Sequence, residues 1–82
     1  MSPVEYQARL DEILRYVAAL LSRPAGTAEW EVGRTFALLA DTERYRYIQS
    51  LMADHPVESR RWQIGWDLRA ILLGWPEAEA VA

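Results

Sequence analysis

Residues 12–23 align with residues 43–54 at an offset of 31, and after one inserted residue 24–40 align with 56–72 at an offset of 32. Seven of these 29 pairs are identical: Glu12 with Glu43, Arg15 with Arg46, Tyr16 with Tyr47, Leu20 with Leu51, Pro24 with Pro56, Trp30 with Trp62 and Gly33 with Gly65. Others keep their character, such as Val32 with Ile64, Phe36 with Leu68 and Leu39 with Ile71. A fixed internal period predicts one supersecondary unit used twice. It constrains the architecture strongly, because both copies must fold alike and then bury their apolar faces on each other.

The periodicity inside each copy is helical. Tyr6, Leu10, Ile13, Leu14, Val17, Leu20 and Leu21 recur at three- and four-residue steps, which places them on one face of a first helix. Ser2, Pro3 and Glu5 form a helix start, with Ser as cap, Pro at the first helical position and Glu in the first turn. The stretch Ser22-Arg23-Pro24-Ala25-Gly26 ends that helix. Thr27 then caps a second helix, with Glu29 and Glu31 near its positive end and Val32, Phe36, Leu39 and Ala40 on its inner stripe. Asp41 is expected to cap a third helix after a joint so short that helices two and three run nearly continuously. The third helix presents Tyr45, Ile48, Leu51 and Met52, and His55-Pro56 closes it, with His55 serving as a cap or in a solvated turn. Pro56 is expected in the first turn of the fourth helix. No sustained period-two alternation supports a strand.

The expected fold is therefore all-α: a four-helix array of two consecutive, internally duplicated αα-hairpins. Residues 1–75 make the single domain, with repeat units 3–40 and 42–74, and 76–82 form a C-terminal tail. Gly33 and Gly65 fall mid-helix, where glycine costs roughly 1 kcal/mol relative to alanine. A cost repeated at aligned positions predicts close backbone approach, here assigned to the second helix crossing the fourth.

Composition narrows the function classes. The chain of 82 residues has no Cys, so neither disulfides nor thiolate metal sites stabilise a domain this small. Self-association is the remaining common device, and the chain is expected to be a homo-oligomer. The net charge of −3 includes Glu77 and Glu79 in the tail, so the body is near neutral and gathers neither nucleic acid nor an anionic membrane. All nine basic residues are Arg, a bias consistent with a GC-rich bacterial or phage genome. The start of the chain has no signal-peptide pattern and no apolar run approaches the ~20 residues of a membrane span, so a cytoplasmic protein is expected.

Catalytic patterns are missing. His55 has Asp54 beside it but no nucleophile nearby, the carboxylate pairs Asp11-Glu12 and Glu29/Glu31 do not share a helix face, and the glycines form no phosphate loop. No catalytic, cofactor or metal residue is assigned, and a non-enzymatic protein is expected.

The fourth helix departs from its copy. Val57, Ile64, Leu68, Ile71, Leu72 and Trp75 line one face, and Trp62, Trp66, Arg69 and Leu73 line the opposite one. Trp66, Arg69 and Leu73 stand where the first copy has Arg34, Ala37 and Asp41. Trp and Arg dominate interface hot spots, so Trp62, Trp66, Arg69 and Leu73 are the candidate protein interface of an adaptor, regulator or inhibitor. The competing expectation is that this helix is flanked on both sides and simply the most buried. A second functional class reads the third and fourth helices as a helix-turn-helix, with Arg60, Arg61 and Gln63 facing nucleic acid. Against it, Arg60 and Arg61 are expected to pair with Glu58 and Asp67.

Overall fold

A computed structural model describes residues 2–73. Among the described residues there are four α-helices and no strand: α1 (Pro3–Leu21), α2 (Ala28–Leu38), α3 (Asp41–Asp54) and α4 (Arg60–Leu73). Gly74, Trp75, Pro76 and the expected tail at 76–82 lie outside them.

Local chemistry accounts for most helix ends. The Ser2 hydroxyl accepts the Glu5 N–H at 3.2 Å, satisfying one of the orphan donors at the start of α1, and Pro3 occupies the first turn. At the far end the Ser22 N–H returns to the Ala18 and Ala19 carbonyls. Gly26 then takes φ +95°, a conformation that side-chain-bearing residues rarely adopt.

The two turns are built alike. The Thr27 hydroxyl donates to the Pro24 carbonyl at 2.8 Å and accepts the Trp30 N–H at 3.2 Å. The Ser59 hydroxyl donates to the Pro56 carbonyl at 2.7 Å and accepts the Trp62 N–H at 3.2 Å. Each hydroxyl residue also donates its own N–H to the same proline carbonyl, at 3.2 and 2.9 Å. Pro56 therefore opens the turn and does not sit in the first turn of α4, as the sequence had suggested. The hydroxyl three residues later sets the start, because it supplies the acceptor that a helix N-terminus lacks.

Two further expectations are corrected between α2 and α3. Leu39 and Ala40 are extended, with ψ 148° and 154°, so the two helices are separate. Ala40, not Asp41, holds the cap position, and no side chain caps α3. Asp41 lies inside the first turn, where its charge still favours the dipole, and its carboxylate accepts from Arg44 Nη1 at 2.9 Å. At the other end, His55 Nδ1 stands 3.0 Å from the Leu51 carbonyl in the last turn of α3, the capping role expected of it.

α1 packs on α2 and α3 on α4, and α4 also touches both α1 and α2. The core is Ile13, Val17, Leu20, Val32, Phe36, Ile48, Leu51, Ile64 and Leu68, with Tyr16, Tyr47, Ile71 and Leu72 packed at its margin. Val57, expected on the inner face of the fourth helix, precedes α4 and is 64% exposed. Five aligned pairs are buried in both halves: Val17/Ile48, Leu20/Leu51, Val32/Ile64, Gly33/Gly65 and Phe36/Leu68.

The glycines do not mark a crossing of α2 with α4. A Cβ on Gly33 would stand 2.9 Å from Leu20 Cβ, and one on Gly65 would stand 2.9 Å from Leu51 Cβ. Each glycine lets a helix close on its own hairpin partner. The short turn forces the approach there, and the absent side chain permits it.

Candidate functional site

Its own contacts make α4 the centre of the array. Ile64 and Leu68 are fully buried on its inner side. Trp62, Trp66, Arg69 and Leu73 follow at steps of four, three and four, which keeps them within about 60° of one another around the helix. All four are half-buried: the structure neither seals the indoles inside nor leaves them fully in solvent. The Trp62 and Trp66 rings are stacked, with planes 3° apart and centroids 5.9 Å apart. That separation with parallel planes is an offset stack, the arrangement the ring quadrupoles favour.

How the edge of α3 meets α4 was not legible in the sequence. Met52 Cγ lies 3.1 Å from the point a Gly65 Cβ would occupy, so Met52 packs on α4 at Gly65. Tyr45, two turns earlier on α3, is 41% exposed and shares a cleft wall with Leu72. The sequence presents both residues with Ile48 and Leu51 on the apolar stripe of the third helix. Their position at the stripe's edge depends on the angle at which α3 meets α4, and the hydrophobic pattern carries no information about it.

In the first hairpin the aligned outer positions do something different. Arg34 lies with its guanidinium 5.5 Å from the Trp30 ring centroid, a cation–π contact. The second hairpin replaces that cation with a second indole.

Arg60 and Arg61 do not pair with Glu58 and Asp67. Arg60 Nε donates to Glu29 Oε2 and Arg61 Nη2 donates to Glu31 Oε1, each at 3.0 Å, so both partners come from the first turn of α2. Arg60 Nη1 also reaches Gln63 Oε1 at 3.5 Å. Two cations in the first turn of α4 oppose its dipole, and the α2 carboxylates offset them. The Glu29 carboxyl is held below the usual range by its own backbone N–H and then by Arg60.

Asp67 instead accepts the Tyr16 hydroxyl at 2.7 Å, joining α1 to α4. Burial, and then this hydrogen bond, push the Tyr16 phenol well above the ordinary tyrosine range. The aligned Tyr47 has the aligned residue, Thr35, as its side-chain partner, joining α3 to α2, and burial raises its phenol too. The identity of Tyr16 and Tyr47 in the alignment was the available signal for these links.

An open cleft of about 440 Å³ lies where the end of α1 meets the starts of α2 and α4, lined by Tyr16, Arg23, Glu29 and Arg60 among others. Within it the Arg60 Nε donates to Glu29. Among the described residues no group of three or more His, Cys, Asp or Glu is placed to hold a metal ion. No helix among them is long and apolar enough to cross a membrane. In comparison with known proteins, no family model, no characterised sequence and no solved structure matches the chain.

Proposed function

We propose that this chain is a small, non-enzymatic protein-interaction module of the cytoplasm, an adaptor, regulator or inhibitor. It associates with itself or docks on a larger protein through the outer face of α4. One observation carries the reading: two parallel, half-buried indoles stand on the outer side of a helix whose inner side already packs on the rest of the domain. Large aromatics held in place before binding lose little rotamer freedom on docking, and Trp and Arg anchor most interface hot spots. Arg69 and Leu73 continue the face toward the end of α4.

The double variant Trp66→Ala, Leu73→Ala tests this. An interface role leaves the helical circular dichroism intact and abolishes association, read by light scattering across concentration and by pull-down of partners. A purely structural role gives an unfolded chain.

The same reading takes the chain as two copies of one αα-hairpin, units 3–40 and 42–74. The matched turn hydrogen bonds, the five matched buried pairs and the two glycines set against aligned leucines support it. Units that fail to superimpose when fitted on 12–40 and 43–72 would remove it.

The nucleic-acid alternative through Arg60, Arg61 and Gln63 has less support. Both guanidinium groups rest on carboxylates, and the net charge is −3. Binding that appears at low salt and fades steeply as salt rises would reinstate it.

A further inference from the structure

α2 passes to α3 through Leu39 and Ala40, whose φ angles of −82° and −68° are already close to the helical value of about −63°. Their ψ angles of 148° and 154°, against about −42° in a helix, are what separate the two helices. Neither residue is Gly or Pro, and both are good helix formers. Helix ends leave carbonyl and N–H groups without partners, and no side chain caps the start of α3. Turning two ψ angles would make α2 and α3 one helix, Ala28–Asp54, in which those groups bond to each other.

That helix is about 40 Å long at a rise of 1.5 Å per residue, whereas the longest extent of the molecule is 37 Å. The α1–α2 pair then lies at one end and the α3–α4 pair at the other, so α2 and α4 of one chain no longer meet. Val32 and Phe36 lose Ile64 and Leu68, with which they share the core. Glu29 and Glu31 lose Arg60 and Arg61, and Tyr16 loses Asp67. A second copy opened in the same way presents every one of those partners in the matching arrangement. The end of the molecule at the joint also has apolar side chains to cover. Val4 is 79% and Leu38 76% exposed, and Tyr6 and Tyr45 are exposed too. Tyr6, Asp41 and Tyr45 line one cleft, so the start of α1 lies beside the joint. Two bundles joined by continuous helices would abut there.

We propose that two copies of this chain exchange hairpins. α2 and α3 of each run as one helix, and the α1–α2 pair of each copy packs on the α3–α4 pair of the other. The outer face of α4 takes no part, so this pairing is separate from association through Trp62 and Trp66.

The test uses two charge-reversed forms of the full chain. One carries Glu29→Arg and Glu31→Arg, the other Arg60→Glu and Arg61→Glu. Each alone sets like charges across the junction of α2 with α4. When one exchanges hairpins with the other, both junctions regain opposite charges. The two are mixed in urea, diluted to refold, and followed by sedimentation and circular dichroism. A helical one-to-one dimer is expected, about tenfold more abundant in the mixture than the dimer of either form alone. Ala40→Pro separates exchange from simple charge attraction. The ring holds φ near −65° and favours an extended residue before it, and the closed joint supplies both. Inside a continuous helix the same ring breaks the hydrogen-bond ladder. With the original charges, Ala40→Pro is expected to remove the dimer and keep the helical signal, while Trp66→Ala, Leu73→Ala keeps the dimer. No one-to-one dimer in the mixture, or one that survives Ala40→Pro in both chains, overturns the exchange. Self-association that Trp66→Ala, Leu73→Ala removes and Ala40→Pro does not would support the α4 face alone and overturn the exchange as well.

Discussion

Alanine in place of Gly65 separates helix propensity from packing, because the two act in opposite directions. Propensity alone favours the change by roughly 1 kcal/mol, since mid-helix glycine costs that much relative to alanine. The structure reverses the sign. The new Cβ would stand 2.9 Å from Leu51 Cβ and 3.1 Å from Met52 Cγ. Carbon atoms attract one another best at about 3.5–4.0 Å, so the closer pair overlaps by more than half an ångström. Met52 Cγ can rotate away, but Leu51 Cβ is attached directly to the α3 backbone, so α4 must lift from α3. Forced repacking of this kind costs about 1–3 kcal/mol, and a backbone-linked overlap belongs at the upper end. The net expectation is a loss of about 2 kcal/mol, or on the order of 10 °C in Tm for a domain this small. Gly33→Ala meets Leu20 Cβ at the same 2.9 Å and should lose about as much. Urea unfolding followed by Trp fluorescence and circular dichroism measures both. Unchanged or raised stability in either variant would refute the close-packing argument for that hairpin.

Ser59→Ala removes the hydroxyl that accepts the Trp62 N–H, and thermal unfolding should show a loss of about 1 kcal/mol, with a comparable loss for Thr27→Ala. Tyr16→Phe leaves the half-buried Asp67 without its 2.7 Å donor and should cost about 1–2 kcal/mol at neutral pH. Because the folded chain raises the Tyr16 phenol, its contribution is complete below about pH 10 and declines as pH rises above that. The stability gap between wild type and Tyr16→Phe should therefore narrow under alkaline conditions, and a gap constant to the alkaline limit would count against the assignment. Glu29 has the opposite sign. Its carboxyl is lowered in the fold, so its contribution is present above the ordinary glutamate value near pH 4.3 and fades as pH falls below it. Glu29→Gln should accordingly lower Tm at pH 7 and leave it closer to wild type at pH 3.

Helix number, type and most boundaries were legible because their signals are local. Ser2, Thr27 and the Pro24 and Pro56 turns act through hydrogen bonds spanning three or four residues, and the apolar stripes placed Ile13, Val17, Leu20, Val32, Phe36, Ile48, Leu51, Ile64 and Leu68 inside. Where two local signals compete, the sequence pattern does not fix the cap. Asp41 has the chemistry of a cap, yet Arg44 three residues on holds its carboxylate, and Ala40 takes the cap position.

The amino-acid order by itself determined that this is an all-helical chain with aligned turns, aligned apolar positions and an unusual outer face on its last helix. Only the tertiary structure decided which groups meet. It brought Glu29 to Arg60 and Glu31 to Arg61, some 30 residues along the chain, brought Asp67 to Tyr16, and turned each glycine toward its own hairpin partner. It also set Arg44 beside a small apolar cleft where the other half of the molecule buries isoleucine. Helical periodicity specifies which direction a side chain leaves its own axis. The angles and distances between axes come from how the packed side chains fit together, and those settle what each side chain finds there.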